Sequence, residues 1–171
     1  MSRSKHLVVL AATTAIAVLA VTSAAQATPP THEDIGTIPY EFALDCSPYG
    51  FAFENEIVGE EEVSIDTFFN SQGDPRRVVV HDSFLETDTN SVTGKTMRVR
   101  GNQVQTFDLV AGTRTVVGSI FMATDPGQGI VIHDSGRVVF DAPFHISFEA
   151  GPHDVLHRDV DQLACSALAA P

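Results

Sequence analysis

Two stretches of this chain end a branched apolar run in the same three polar residues: Val78 to Ser83 reads VVVHDS, and Ile130 to Ser135 reads IVIHDS. Histidine, aspartate and serine are the residue types of a nucleophilic triad, in which base and hydroxyl must touch. Three consecutive strand residues cannot supply one, because neighbouring side chains leave an extended backbone on opposite faces. His81 is therefore turned away from Asp82, and His133 from Asp134. Alternation instead aligns Asp82 with Val78, Val80 and Phe84, and Asp134 with Ile130 and Ile132. A carboxyl group on an inward face must be hydrogen-bonded, paired or protonated, and in a cavity it can act as a general acid or base. Asp82 and Asp134 are thus the candidate catalytic residues. The structural alternative is that each marks where its strand leaves the core, which suits Asp134 because Ser135-Gly136 follows it.

Other constellations are weaker. His153, His157 and Asp161 stand at i, i+4 and i+8 in a helical pattern and could share a zinc ion, or simply form a polar helix face with Asp154 and Arg158 paired. Glu86, Asp88 and Asn90 alternate as calcium-loop donors do, but Ser91 stands where that loop needs glycine and Met97 where it needs its last carboxylate. Glu60-Glu61-Glu62 reads as a solvated loop. Gly94-Lys95-Thr96 lacks the earlier glycine of a phosphate loop, with Thr89 in its place, and reads as a hairpin turn. No G-x-S-x-G elbow occurs.

These residues sit on elements whose period is mostly two. Phe51, Phe53 and Ile57 oppose Glu54 and Glu56; Val63, Ile65 and Phe69 oppose Ser64 and Asp66; Met97 and Val99 oppose Arg98 and Arg100; Phe144, Ile146 and Phe148 oppose His145, Ser147 and Glu149. Turn signals separate them at Ser71–Pro75, Asn90–Lys95, Gly101-Asn102, Ala111-Gly112, Asp125–Gly129 and Asp141–Pro143. The spacing predicts an all-β fold, a mainly antiparallel barrel of about eight strands with a β-sandwich as the alternative. From Pro152 the period changes, and Val155, Leu156, Val160, Leu163, Ala164, Ala167 and Leu168 predict one short C-terminal α-helix.

The segments HDSFLETDTNSVTGKTMRV, DPGQGIVIHDSGRVVFD and FEAGPHDVL, followed by a late cysteine, resemble a group of small secreted actinobacterial proteins that have no assigned activity. The resemblance covers most of the chain after its leader; it implies secretion and a β-rich fold and brings no catalytic residues. The plan, a small secreted barrel tied end to end by a disulfide, is similar to that of plant dirigent proteins, an analogy of architecture without a shared motif.

At the N-terminus, Arg3 and Lys5 precede an apolar stretch from Leu7 to Val21 that ends in Ala25-Gln26-Ala27. The pattern is that of a secretory leader cleaved after Ala27, since about 20 apolar residues are needed to span a bilayer. Cleavage leaves eight basic residues against 22 acidic ones, a formal charge of −14. Such a surface excludes nucleic acid and anionic membranes as partners and favours solubility outside the cell. In an oxidising compartment the two cysteines, Cys46 and Cys165, read as one structural disulfide. The expected organisation is a leader over 1–27, a mobile N-terminal arm over 28–45 and one domain over 46–171.

No cofactor is indicated, and three functions fit. The first is a non-catalytic barrel that binds a small apolar or amphipathic ligand, with Phe51, Phe53, Phe69, Phe107 and Phe148 as candidate lining. The second is an extracellular structural or interaction protein whose interior is filled by side chains. The third is a cyclase, isomerase or lyase using an inward carboxylate such as Asp82.

Overall fold

The computed structural model describes residues 28–142 and 145–170, so the expected leader lies outside the described residues. Strands β1 (Thr31–Asp45), β2 (Glu54–Phe69), β3 (Pro75–Asn90), β4 (Thr96–Asp108), β5 (Thr113–Asp125), β6 (Gly129–Ala142) and β7 (His145–Ala150) form one sheet in chain order. Every neighbouring pair is antiparallel. Two short helices follow, α1 (Asp154–His157) and α2 (Val160–Ala169).

Hairpin chemistry explains the meander. Asn70, Asn90, Asp108 and Asp125 each end or follow a strand, and each turns its side-chain oxygen onto two backbone N–H groups of the coming turn. A glycine at positive φ closes each turn in the order Gly73, Gly94, Gly112 and Gly129. The Asx residue starts the reversal and the glycine supplies the left-handed step that other residues resist.

Three expectations are revised. The stretch over 28–45 is not a mobile arm: Thr31–Asp45 is a full strand paired along its length with β2. Its Pro39 obscured the pattern, yet a proline fits a strand at the sheet edge, where one side of the backbone needs no ladder. The sheet has seven strands, and among the described residues no ladder joins β1 to β7, so it is open and not a hydrogen-bonded barrel. The C-terminal helix is two helices. Asp159 caps α2 by accepting the Gln162 N–H at 3.0 Å, which forces the chain out of helix at a point the apolar period runs straight across.

One face of the sheet, here the inner face, is covered by the C-terminal segment. Met97, Val99, Ala123 and Ile132 pack under Ala164, Ala167 and Leu168 of α2. Three links hold that helix in place. Cys46 is bonded to Cys165, with Cα atoms 5.7 Å apart and a sequence separation of 119. Lys95 Nζ pairs with buried Asp125 at 2.7 Å and donates to the carbonyls of Ala167 and Ala170. Asn90 Nδ2 donates to the Leu168 carbonyl. The last carbonyls of a helix have no intrahelical donors, and a lysine there also meets the negative end of the helix dipole.

A loop of that length gives the disulfide a chain-entropy contribution approaching ~4.7 kcal/mol. Replacing both cysteines by serine is expected to lower stability by about 2–4 kcal/mol in denaturant titrations while the unfolding stays cooperative.

Candidate functional site

The two His-Asp-Ser stretches part company in the structure. Asp134 is 1 % exposed and fully engaged: Oδ1 faces His153 Nδ1 at 2.9 Å, and Oδ2 accepts the Val155 N–H at 3.0 Å. His153 Nε2 in turn faces the Ala150 carbonyl at 3.3 Å, so each ring nitrogen meets an acceptor. This pair bolts β6 to the start of α1 and leaves Asp134 no free oxygen for chemistry. On the other face His133 Nε2 and Ser135 Oγ are 3.0 Å apart, as alternation requires.

Asp82 differs. It is 8 % exposed, Oδ2 accepts from Gln103 Nε2 at 2.7 Å, and Oδ1 is buried without a partner. Its other neighbour is Glu61, whose carboxyl is raised above the ordinary range by burial and by the Asp82 charge beside it. Glu61 comes from an acidic run expected as a loop. That run lies inside β2, so Glu60 and Glu62 are exposed while Glu61 turns inward.

A second polar group lies further along the same face of β3. The Tyr40 hydroxyl donates to Glu86 at 2.7 Å across Gly59, the residue opposite both, where a side chain would collide with the tyrosine ring. Burial raises Glu86, and the tyrosine bond partly offsets it. Asp88, 3 % exposed, accepts from Asn55 Nδ2 at 2.8 Å, but Asp88 Oδ1 and Asn55 Oδ1 are both buried without donors. Burial pushes Asp88 up to about 6 against the Asn55 hydrogen bond, with the Glu86 charge adding to the rise.

Pairing register places Val63, Asp82, Gln103, Gly118 and Gly136 in one row across β2 to β6. Gly118 and Gly136 have φ of 139° and 125°, and a Cβ at either would strike a neighbouring carbonyl, of Asn102 or Ala150. They contribute no side chains, and a recess of about 200 Å³ lies beside them. Its walls are Val116 and Ile120, Asp134 and Val138, two positions either side of the two glycines, together with Gln103, Arg114, Phe140, Val155 and Leu156. The Arg114 guanidinium sits 5.6 Å from the ring centre of Phe107 and 5.5 Å from that of Phe140. One terminal nitrogen donates to Gln105 Oε1 at 2.8 Å, while Nε is buried without an acceptor.

A larger recess of about 540 Å³ is lined by His32, Asp34, Thr37, Glu62, Ser64, His81, Ser83 and Asn102, and Val63 and Asp82 also reach it. Beside it Asp66 takes His32 at 2.9 Å and His81 at 3.4 Å, one on each oxygen. The two histidines are half or more exposed, and both are satisfied by the less exposed Asp66.

The metal candidates do not converge. His153 is buried on Asp134, His157 pairs with Glu149 at 3.0 Å, and Asp161 is exposed in the first turn of the other helix. Among the described residues no group of three His, Cys, Asp or Glu side chains is arranged to hold a metal ion. The candidate lining phenylalanines are dispersed. Phe51 and Phe53 lie 5.9 Å apart, with Phe53 packed on the core cluster; Phe69 ends β2; Phe148 is 49 % exposed beneath Arg137. Phe107 alone adjoins the inner recess, through Arg114. Arg114, Gln103, Phe140 and Glu61 were the residues missed. Alternation does place Arg114 with Val116, and Gln103 with Gln105 and Phe107, so an inward arginine was readable there.

The chain matches no protein-family profile, no curated protein and no solved structure. Among the described residues no helix is long and apolar enough to cross a membrane.

Two outcomes follow from these environments. Asp134→Ala strands a buried histidine and is expected to cost about 3–5 kcal/mol in equilibrium unfolding. Asp88 lies above its ordinary 3.8 in the fold, so between that value and about 6 the folded state holds a proton that the unfolded state has released. Its stabilising contribution is complete below about pH 4 and is lost as pH rises through about 6. Asp88→Asn, whose amide can donate to Asn55, is expected to stabilise the protein at pH 7 by up to roughly 3 kcal/mol. The gain should vanish near pH 4 when wild type and variant are melted side by side.

Proposed function

We propose that the protein is an exported, non-catalytic binder of a small amphipathic acid, held in the recess between the inner face of β4–β6 and α1. One observation carries the reading: an arginine beside two aromatic rings lines an apolar recess while its Nε–H is buried without an acceptor. Among the described residues no carboxylate lies within ion-pair distance of Arg114, although acidic residues outnumber basic ones 22 to 10. A buried donor without an acceptor is costly, and a ligand carboxylate or phosphate oxygen would satisfy it. Val116, Ile120, Val138, Phe140 and Leu156 offer the apolar contact for the rest of the ligand.

The volume of about 200 Å³ lies below the ~300–1,000 Å³ of drug-sized sites, which supports a short-chain ligand. The unfilled recess favours binding over a purely structural role with a packed interior. Exposed acidic charges beyond ~8 Å are largely screened at physiological salt, and the Asp134 carboxylate in the wall is engaged by His153 and the Val155 N–H. Export is supported by the leader pattern before Ala27 and by the Cys46–Cys165 disulfide.

Octanoate is a suitable first probe. Titration is expected to shift the Arg114 Nε–H resonance saturably, and Arg114→Gln is expected to weaken binding about 10- to 100-fold, the value of a charge-assisted hydrogen bond. A titration that leaves this resonance unmoved up to millimolar octanoate would reject the reading.

A further inference from the structure

Resting on that binding site, we infer that Asp82 sets the hydrogen-bond polarity of the recess through Gln103, so that the site selects a hydroxy acid over the plain acid of equal length. Asp82 is here a positioning residue, acting on the ligand through its neighbour.

The inference starts from the donor inventory. A carboxylate accepts hydrogen bonds, and a glutamine side chain has a donating end and an accepting end. The 2.7 Å bond from Gln103 Nε2 to Asp82 Oδ2 uses one of its two N–H groups and turns the amide nitrogen toward β3. Gln103 also lines the recess, so the end left for a ligand is the Oε1 acceptor. Asp82 is itself fixed. It is 8 % exposed, and Oδ2 is held by Gln103. The amide of Gln103 cannot reverse without setting its carbonyl against the Asp82 carboxylate. No hydrogen bond joins Gln103 to Arg114, whose Nη2 donates to Gln105 instead.

The recess therefore presents a cationic donor at one end and a neutral acceptor at the other. Their separation follows from the strand. Gln103 and Gln105 are two residues apart on one face of β4, a step of about 6.6–6.8 Å, and the guanidinium is tied to Gln105. A ligand whose anionic head meets Arg114 should carry its hydroxyl roughly five bonds further along the chain to reach Gln103. A 5-hydroxy acid fits, and a hydroxyl adjacent to the carboxylate does not. An acceptor in the hydroxyl's place, such as a ketone, would face the Oε1 lone pairs and be disfavoured.

Isothermal titration of 5-hydroxyoctanoate, 5-oxo-octanoate and octanoate measures the selectivity directly. Wild type is expected to favour the hydroxy acid over octanoate about three- to tenfold, the worth of one net hydrogen bond, and to bind the keto acid weakest. Gln103→Met, which keeps the length of the side chain and removes the acceptor, should bind the hydroxy acid and octanoate equally. Asp82→Asn can pair with Gln103 in either orientation and should narrow the spread among the three ligands while octanoate affinity stays within twofold. Asp82→Glu, still acceptor-only, should retain the wild-type order. If none of the three ligands binds wild type, the site reading fails and this inference fails with it. If all bind but wild type treats the hydroxy and plain acids alike, the site stands and the role of Gln103 is overturned. A wild-type spread that survives intact in Asp82→Asn overturns the role of Asp82 alone.

Discussion

An antiparallel sheet with two free edges can bury one face only if another part of the chain lies over it, and everything else in this molecule follows from how that cover is held. No ladder joins the first strand to the last among the described residues, so the inner face cannot be sealed by closure. The cover comes instead from the C-terminal segment, fastened at separate points. Cys46–Cys165 ties α2 to the end of β1; Lys95, Asp125 and Asn90 hold its last turn; Asp134 and His153 hold the approach to α1. Each fastening uses a buried polar or covalent link, because a helix of ten residues has too little apolar stripe to be fixed by packing alone.

The interior that results is divided. Under α2 the face is apolar and filled, with Met97, Val99, Ala123 and Ile132 in contact with the helix. Along β3 it is acidic, since Asp82, Glu86 and Asp88 share one face by alternation and each must find a partner on β1, β2 or β4. Under α1 it is incomplete. Two glycines in neighbouring strands leave space that the surrounding aliphatic residues do not fill, and Arg114 faces that space without a counter-ion. Gln103 runs from that acidic wall to the recess lined by Arg114, and its partner is the one of the two repeated aspartates that retains a free oxygen.

Much of the local structure was legible from residue order. Period-two alternation located β2, β3, β4, β6 and β7, and Asn or Asp followed by glycine marked the hairpins because that pair supplies the capping oxygen and the left-handed step. The cysteine count gave the disulfide. Strand β1 was hidden by Pro39 and by the bulge between Asp34 and Gly36, both tolerable at an edge and both disruptive to a periodic reading. The helix break at Asp159 was hidden because apolar spacing is blind to a capping side chain. The candidate site was read only in part: Asp82 was identified as inward, but the phenylalanines were grouped by residue type, and type alone does not say which rings share a volume.

The sequence by itself determined which face each residue of a strand occupies, because alternation follows from backbone geometry and needs no partner. That sufficed to exclude a triad within His-Asp-Ser and to turn Asp82 and Asp134 inward. Only the tertiary structure decided what each aspartate meets there. Register set Gln103 opposite Asp82, and the path of the chain after β7 set His153 against Asp134. The same three letters thus became a structural bolt in one strand and a carboxylate with one unpartnered oxygen in the other, since the partners of a buried carboxylate come from residues far away in sequence.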